Sequence, residues 1–216
     1  MGRTQQTQSN AVKNPATCYL EWSGEHGHFS YWDGQDRQVL DSLDFVLLET
    51  TKSVSGYDDV SNSRIYSNSV KSTEDHFVVR VSKTNSVLAE GTYAEIKSDR
   101  FKYTENLLVL AEISGMAGIV QISLSGAGVQ SLMTLRENHQ MAEIYNSMIR
   151  VTRSEKMKKG RVEYYQPIFT LLPLDEEMKN KADEFEVEFV VPYIQSLEDR
   201  QREYVEKQAA KEAAAV

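Results

Sequence analysis

The sequence contains a single cysteine, Cys18, in 216 residues. One thiol cannot form a disulfide within the chain, and cysteine-based zinc frameworks need several. The sequence also lacks an Asn-x-Ser/Thr acceptor for glycosylation. Both absences are typical of a protein that works in a reducing compartment. Because Cys18 stands beside Tyr19 in a strand-like run, we expect it to be a small buried hydrophobe rather than a nucleophile.

Long hydrophobic runs are also absent. A membrane-spanning helix requires about 18 apolar residues, and no stretch of the chain approaches that length. The opening residues, MGRTQQTQSNAVKN, lack the apolar centre of a signal peptide. Apolar residues make up 40% of the chain and charged residues 26%, which is the ordinary balance of a folded soluble domain. We therefore expect a cytoplasmic protein.

Catalytic signatures are the third absence, since the chain has no Gly-x-Ser-x-Gly and no phosphate-loop lysine motif. The stretch GAGVQS, residues 126–131, sits like a dinucleotide loop but lacks its third glycine and its later acidic residue. His26 and His28 have the spacing of a metal pair on a strand, without an evident third ligand. We expect no enzymatic activity, no cofactor and no metal. A nuclease built on Asp58 and Asp59 is the alternative that magnesium-dependent cleavage would reveal.

Negative charge is plentiful but unevenly placed. The formal net charge is -8. Residues 174–216 carry twelve acidic and six basic side chains, a net of -6, which leaves -2 for residues 1–173. In contrast, residues 150–161, RVTRSEKMKKGR, carry six basic side chains and one acidic one, a net of +5. Because a local cluster of charge can attract a partner that the sum would repel, the overall acidity does not exclude nucleic acid.

The pattern along the first two thirds of the chain is predominantly β. The aromatic-rich runs TCYLEW and HFSYWD flank the turn SGEHG and predict a first hairpin. An apolar strand at 45–48, a long polar loop at 54–75 and an alternating run at 77–81 come next. Apolar residues between positions 129 and 135 then predict one helix between strands, capped by Ser125.

The last third changes character. Residues 146–172 predict a second hairpin, with a basic tip at Lys159-Gly160 and Tyr164-Tyr165 on its return strand. Pro173 ends the β region, since proline fits poorly inside a strand ladder, and the remainder is charged and mostly helix-forming up to and beyond Pro192. We expect three regions: a flexible N-terminal arm at 1–13, a nucleic-acid-binding β domain at 14–173, and an acidic, mostly helical C-terminal extension at 174–216.

These elements predict a mainly β protein with an OB-fold-like, five-stranded antiparallel barrel. That fold is a partly open barrel that binds single strands across its strand face and between its loops. Single strands are held by flat rings that stack on bases and by cations that follow the backbone. We expect the DNA-binding side chains to be Trp22, Phe29, Tyr31, Trp32, Tyr57, Arg64, Tyr66, Lys71, Arg80, Arg150, Arg153, Lys156, Lys158, Lys159, Arg161, Tyr164 and Tyr165.

Each of these features also has an ordinary structural interpretation. Alternation puts Phe29 and Tyr31 on one face of their strand and Ser30 and Trp32 on the other, so at least one of these sets belongs to a core. Lysine-rich tips also keep strand edges soluble. The sequence leaves open which rings are core and which stack on bases.

Several groups of residues resemble phage-encoded single-stranded-DNA-binding proteins with an OB-fold, over roughly residues 14–170. The matching elements are Asn14-Pro15, the turn Trp22–Gly27, the run Tyr31–Asp33 and the loop Ser55–Ser63. The resemblance implies cooperative, sequence-tolerant coating of single-stranded DNA during phage replication or recombination, in the cytoplasm of the infected bacterial host. It also implies replication or recombination proteins as partners.

The C-terminal region departs from that family. Its last residues, AAKEAAAV, lack an acidic-aromatic tip, so self-association through the C-terminal helices is as good an expectation as partner docking. The alternative from a different class is a non-enzymatic phage structural or assembly protein, in which the aromatic hairpin and the C-terminal helices form subunit interfaces.

Overall fold

A computed structural model describes residues 12–214. Most of the predicted flexible arm, residues 1–11, lies outside the described residues. The described chain is mainly β with helices, including a long C-terminal helix, and this part of the prediction is confirmed. The structure has more strands than the predicted five-stranded barrel. They form one large, mixed, open sheet of 11 strands and a separate two-stranded sheet.

Three helices lie between strands, and the C-terminal helices follow the last strand. The strands are β1 (Cys18–Ser23), β2 (His28–Asp33), β3 (Asp36–Leu40), β4 (Leu43–Asp58), β5 (Ser63–Ser67), β6 (Phe77–Val81), β7 (Val87–Gly91), β8 (Phe101–Ile113), β9 (Met116–Ser125), β10 (Ser147–Arg153), β11 (Met157–Lys159), β12 (Val162–Tyr164) and β13 (Pro167–Pro173). The helices are α1 (Tyr93–Ile96), α2 (Ala127–Asn138), α3 (Met141–Tyr145), α4 (Glu176–Phe185), a π-helical turn (Glu186–Val190) and α5 (Val191–Ala214).

The large sheet is organised around β4, a strand of 16 residues. The main order is β3-β2-β1-β9-β8-β4-β5-β6-β7, with β10 on the first residues of β4 and β13 outside β10. All neighbours are antiparallel except β1 and β9, which are parallel. A register shift between Leu47 and Glu49 interrupts the pairing of β4 with β8. On its other edge, β4 pairs with β10 through its first residues and with β5 through its last.

The predicted polar loop at 54–75 is partly wrong, because much of it is strand. β4 continues to Asp58 and turns into β5, whose backbone pairs with β4 on one side and β6 on the other. Asp58 closes the turn: its carboxylate accepts hydrogen bonds from the Ser61 amide (3.0 Å) and hydroxyl (2.5 Å) and from Arg100 (2.7 Å). Pairing on both sides stabilises strand in a segment whose Ser and Asn residues favour turns.

The helix and hairpin predictions need smaller corrections. Two helices, α2 and α3, lie between β9 and β10 where one was expected. Ser125 is the last residue of β9, and Gly126, with φ of 52°, precedes α2 instead. The second hairpin is present as β10 paired with β13. Its tip folds as an independent hairpin, β11 and β12, which we call the basic arm (residues 154–166).

Three apolar cores hold these layers together. The largest lies between the sheet and helices α2 and α3 and includes Phe29, Phe45 and Leu132. The second lies on the opposite side of the sheet, where Tyr193 and Leu197 of α5 cover the middle strands. A third, smaller core lies at the β5–β6 end beneath α1. The C-terminal helices therefore pack on the sheet and share a core with it.

The C-terminal helices are interrupted, as expected, close to Pro192. Proline has no N–H to donate to the preceding turn, and the π-helical turn ends two residues before it. Asp175 begins α4 by accepting a hydrogen bond from the Met178 amide at 2.7 Å. Within residues 12–214, none of the helices combines the length and apolar character needed to cross a membrane.

Candidate nucleic-acid interface

The side of the sheet on which α4 and α5 lie also carries four exposed rings, two on β1 and β2 and two on β4 and β5. Residues directly opposite each other in a ladder, and residues two apart along a strand, share a face. By these rules Trp32, Tyr19, Tyr57 and Tyr66 all belong to this one side, linked through the registers of β2, β1, β9, β8, β4 and β5. Their exposed fractions are 66%, 52%, 52% and 42%, respectively. We call this side the aromatic face.

Three of these rings stand directly opposite an arginine on the neighbouring strand. Trp32 faces Arg37 of β3. Tyr57 faces Arg64, and Tyr66 faces Arg80. In an antiparallel pair the opposed Cβ atoms lie roughly 4.5–5.5 Å apart, so each ring has a guanidinium within side-chain reach. A flat surface and a cation are thus repeated along the face, which is the combination that single strands require.

Hydrogen bonds hold several of these side chains in place. The Tyr66 hydroxyl donates to the Asn85 side-chain oxygen at 3.2 Å, and Arg80 donates to the Asn85 carbonyl at 3.0 Å. The Tyr57 hydroxyl donates to the side-chain oxygen of Asn62. Anchoring the hydroxyl fixes a ring while leaving its surface open, so less conformational entropy is lost when a ligand stacks on it.

A connected polar network occupies the centre of the aromatic face. Asn14 donates to Gln121 at 2.6 Å, Gln121 donates to Asn106 at 3.2 Å, and Ser123 donates to Asn106 at 2.9 Å. Asn106 in turn donates to the Ser53 hydroxyl at 2.9 Å. The network joins β9, β8 and β4, and it ties residue 14 to the sheet. Partial burial raises the pKa of the nearby Tyr19 hydroxyl, with a smaller contribution from Tyr193.

The basic arm contributes exposed cations but no open ring. Lys158, Lys159 and Arg161 are exposed at its tip. Lys156 pairs with Glu163 at 2.6 Å, and this contact raises the pKa of the lysine. Tyr164 is half-buried. Charge at the tip of the arm is therefore available mainly from three side chains.

The base of the arm is fastened to the turn of the first hairpin. The Tyr165 amide donates to the Gly24 carbonyl at 2.7 Å, and the Trp22 indole donates to the Tyr165 carbonyl at 3.4 Å. Arg153 lies over the Tyr165 ring, 5.6 Å from its centre. The ring also lies against Gly27, where an added Cβ would come within 2.7 Å of it. Trp22 and Tyr165 thus hold the base of the basic arm against the first hairpin.

Other predicted site residues are buried or paired with a carboxylate. Phe29 is fully buried and Tyr31 is 8% exposed, so neither ring can stack on a base, and alternation correctly assigned them to one face. Lys71 pairs with Glu49 at 2.6 Å. Arg150 forms two hydrogen bonds with Asp44, at 2.8 and 2.6 Å, which hold the pKa of that carboxyl below its usual range.

Sequence reasoning missed three members of the face: Tyr19, Arg37 and Lys102. Tyr19 alternates with the buried Leu20 in TCYLEW, so a strand pattern was visible there. Its outward side is defined only by the parallel pairing with β9, roughly a hundred residues away in sequence. Lys102 stands opposite Ser55, which also pairs with Tyr66, so it belongs to the same face.

The described residues offer little for metal chemistry. Among residues 12–214, no three His, Cys, Asp or Glu side chains converge where they could hold an ion. His26 and His28 stack on each other with ring centres 5.4 Å apart. Asp58 is engaged by Ser61 and Arg100, whose hydrogen bonds lower its pKa, the Ser61 contacts most of all.

Comparison with known proteins adds no assignment: no protein-family model matches the chain, and no curated protein or solved structure is significantly similar to it.

Proposed function

We propose that this protein is a non-enzymatic single-stranded-DNA-binding protein that coats DNA without strong sequence preference. The observation that carries the proposal is the aromatic face, where Trp32, Tyr57 and Tyr66 each stand opposite an arginine. Every base has a flat surface, so exposed rings accept any sequence, and the guanidinium groups meet the phosphates. The resemblance to phage proteins suggests replication or recombination in the infected host as the setting.

The connectivity of part of the sheet supports an OB-like reading. The strands β4, β8 and β9 form an antiparallel meander, α2 follows, and β10 returns to β4 with β13 outside it. In an OB-fold the face of the second and third strands and the loops joining strands 1–2 and 4–5 bind oligonucleotides. The segment carrying β5 to α1 and the basic arm occupy those two connections.

A direct test is fluorescence anisotropy with labelled oligo-dT of roughly 30 nucleotides, longer than one OB-fold site. We expect binding that weakens as salt rises, because phosphate neutralisation releases counterions. A duplex of the same length should bind much more weakly, since its bases are stacked in pairs and closed to the rings. Absence of binding at low salt, or equal binding to the duplex, would end the proposal.

The two tryptophans provide an internal comparison. Trp32 is 66% exposed on the aromatic face, whereas Trp22 is half-buried and packs edge-on against Phe29, with ring centres 5.0 Å apart. Oligo-dT should therefore quench the emission of a Trp22→Phe protein, which keeps Trp32, more strongly than that of a Trp32→Phe protein. Equal quenching of both would contradict contact through this face.

A second candidate, a phage structural or assembly role, is favoured by one observation. Apolar side chains on and near the C-terminal helices are exposed: Met116 (74%), Val187 (71%), Val191 (52%) and Phe189 (40%). Exposed apolar patches commonly mark subunit contacts. Light scattering distinguishes the two functions, because an assembly protein should associate with rising concentration whether or not DNA is present.

A further inference from the structure

A cavity of about 450 Å³ lies where the aromatic face meets helix α5. Its walls include Tyr66 and Arg80 from β5 and β6, and Arg200, Gln201 and Tyr204 from α5. His76 lies with them. The volume is within the range of about 300–1,000 Å³ typical of small-ligand sites. It is thus large enough for one small ligand unit rather than for a few waters.

The walls provide rings and unfilled hydrogen-bond donors. Arg80 uses one N–H on the Asn85 carbonyl, and Arg200 uses its Nε–H on the Ser196 carbonyl at 3.0 Å, which leaves the other N–H groups of both guanidiniums. Among the described residues, the Gln201 side chain has no hydrogen-bond partner. Two cations with spare donors are the usual means of holding a phosphate.

The described residues of helix α5 contribute no carboxylate to this cavity, although the C-terminal helices are acidic overall. The part of α5 that lines it consists of Leu197, Arg200, Gln201 and Tyr204, with no carboxylate among the described residues of the helix. Asp75 also lines the cavity, and its carboxylate accepts hydrogen bonds from the amides of residues 71 and 72 at 2.9 and 2.8 Å. The lining therefore carries two arginines against one carboxylate, and that carboxylate is already engaged by two backbone amides.

His76 provides an independent observation at the same place. Its side chain is 7% exposed and its ring stacks on Tyr204, with ring centres 3.4 Å apart and planes at 12°. Within the described part of the chain its Nε2 atom has no hydrogen-bond partner, and the Glu90 carboxylate is 3.9 Å away. A buried nitrogen without a hydrogen-bond partner is costly and uncommon in folded proteins.

We propose that this cavity binds one nucleotide unit. The phosphate lies between Arg80 and Arg200, and the base lies against the ring of Tyr66 on one side and the His76–Tyr204 pair on the other. Because Tyr66 and Arg80 also belong to the aromatic face, the unit is supplied by a bound single strand, so this inference rests on the function proposed above. Helix α5 then contributes directly to holding the strand.

The test compares two neighbouring arginines of α5. Arg200 lines the cavity, whereas Arg202 is 67% exposed, pairs with Asp199 and is outside the cavity. Arg200→Ala and Arg202→Ala remove the same charge from the same helix. We expect Arg200→Ala to weaken oligo-dT binding about tenfold, as for loss of one charge-assisted contact, and Arg202→Ala to leave it unchanged. Urea unfolding of both variants checks that neither is destabilised.

The outcomes separate this inference from the function on which it rests. If the unaltered protein does not bind oligo-dT, the proposed function fails. If it binds and both variants bind equally well, only the nucleotide cavity fails. A titration with dTMP alone distinguishes the source of the nucleotide: binding that Arg200→Ala abolishes, together with unchanged oligo-dT affinity, would assign the cavity to a free nucleotide and overturn its place on the strand path.

Discussion

Rings of the aromatic face and cations of the basic arm were both predicted to bind DNA, and the two regions differ in the side chains that they expose. The face carries four exposed rings and places an arginine opposite three of them. The arm carries Lys158, Lys159 and Arg161 at an exposed tip, while its tyrosines are half-buried. The face thus combines stacking surface with positive charge, whereas the arm, residues 154–166, offers exposed positive charge without an exposed ring.

This difference predicts different responses to salt. Attraction between lysines and phosphates weakens as counterions are added, and the salt dependence reports how many phosphates are neutralised. Stacking of a base on a ring depends on surface contact and is much less sensitive to ions. Substitutions on the face and in the arm should therefore be distinguishable even where they lower affinity by similar amounts.

The largest effect is expected from the face. Replacing Tyr57 and Tyr66 together by alanine removes two stacking rings, each worth about 1–3 kcal/mol, so affinity for oligo-dT should fall at least about 30-fold. The slope of log affinity against log salt should stay unchanged, because no charge is lost. Anisotropy titrations at several salt concentrations measure both quantities.

The matched control keeps the rings. Tyr57→Phe with Tyr66→Phe removes only the hydroxyls that donate to Asn62 and Asn85, so we expect binding close to that of the unaltered protein. If the alanine and phenylalanine pairs bind equally well, the rings do not stack on bases and the contrast with the arm is lost.

A smaller effect, with the opposite salt signature, is expected from the arm. Changing Lys158, Lys159 and Arg161 to alanine should lower the salt slope by about 2, since each phosphate contact on a single strand contributes roughly 0.7. Affinity should fall most at low salt and converge with that of the unaltered protein at high salt. The same titrations measure this.

Three lysines of helices α4 and α5 serve as the control for charge alone: Lys179, Lys181 and Lys207. Their replacement by alanine lowers the net charge equally, but none lies in the arm. An unchanged slope is expected for this variant. If both triple variants change the slope equally, the arm has no special part in binding.

Local patterns were enough for some features and not for others. Alternation in β2 correctly separated the buried Phe29 and Tyr31 from the exposed Trp32, because side-chain direction in a strand is a property of neighbouring residues. The first hairpin and the mainly β character followed for the same reason. The sequence therefore predicted which elements form over short distances.

Features that depend on distant pairing could not be predicted in this way. Lys71 and Arg150 looked like free cations, but strands remote in sequence bring them Glu49 and Asp44. The arginines opposite the rings are defined by register, and the size of the sheet by which edges meet. The contact of α5 with His76 joins residues 128 positions apart through Tyr204, which no periodicity reveals.

The smallest effect concerns the end of the aromatic face where α5 rests on His76. Burial lowers the pKa of this histidine from its ordinary value of 6.5, outweighing Glu90 and Glu95, which raise it. Below pH 6.5 the unfolded chain therefore binds a proton that the folded protein does not. The free energy of unfolding should fall as pH decreases through this value and level off below the folded pKa. The Tyr204 ring of α5, which stacks on His76, also packs against this histidine.

Replacing His76 by phenylalanine keeps a ring beneath Tyr204 and removes the titration. Urea unfolding at pH 7.5 and 5.5 should show a smaller loss of stability for His76→Phe than for the unaltered protein, and the difference between the two removes the contribution of all other groups. His26→Gln, in the exposed turn of the first hairpin beside the arm, should retain the full loss. An identical loss in all three proteins would mean that protonation of His76 does not contribute to the pH dependence of stability at the α5 end of the face.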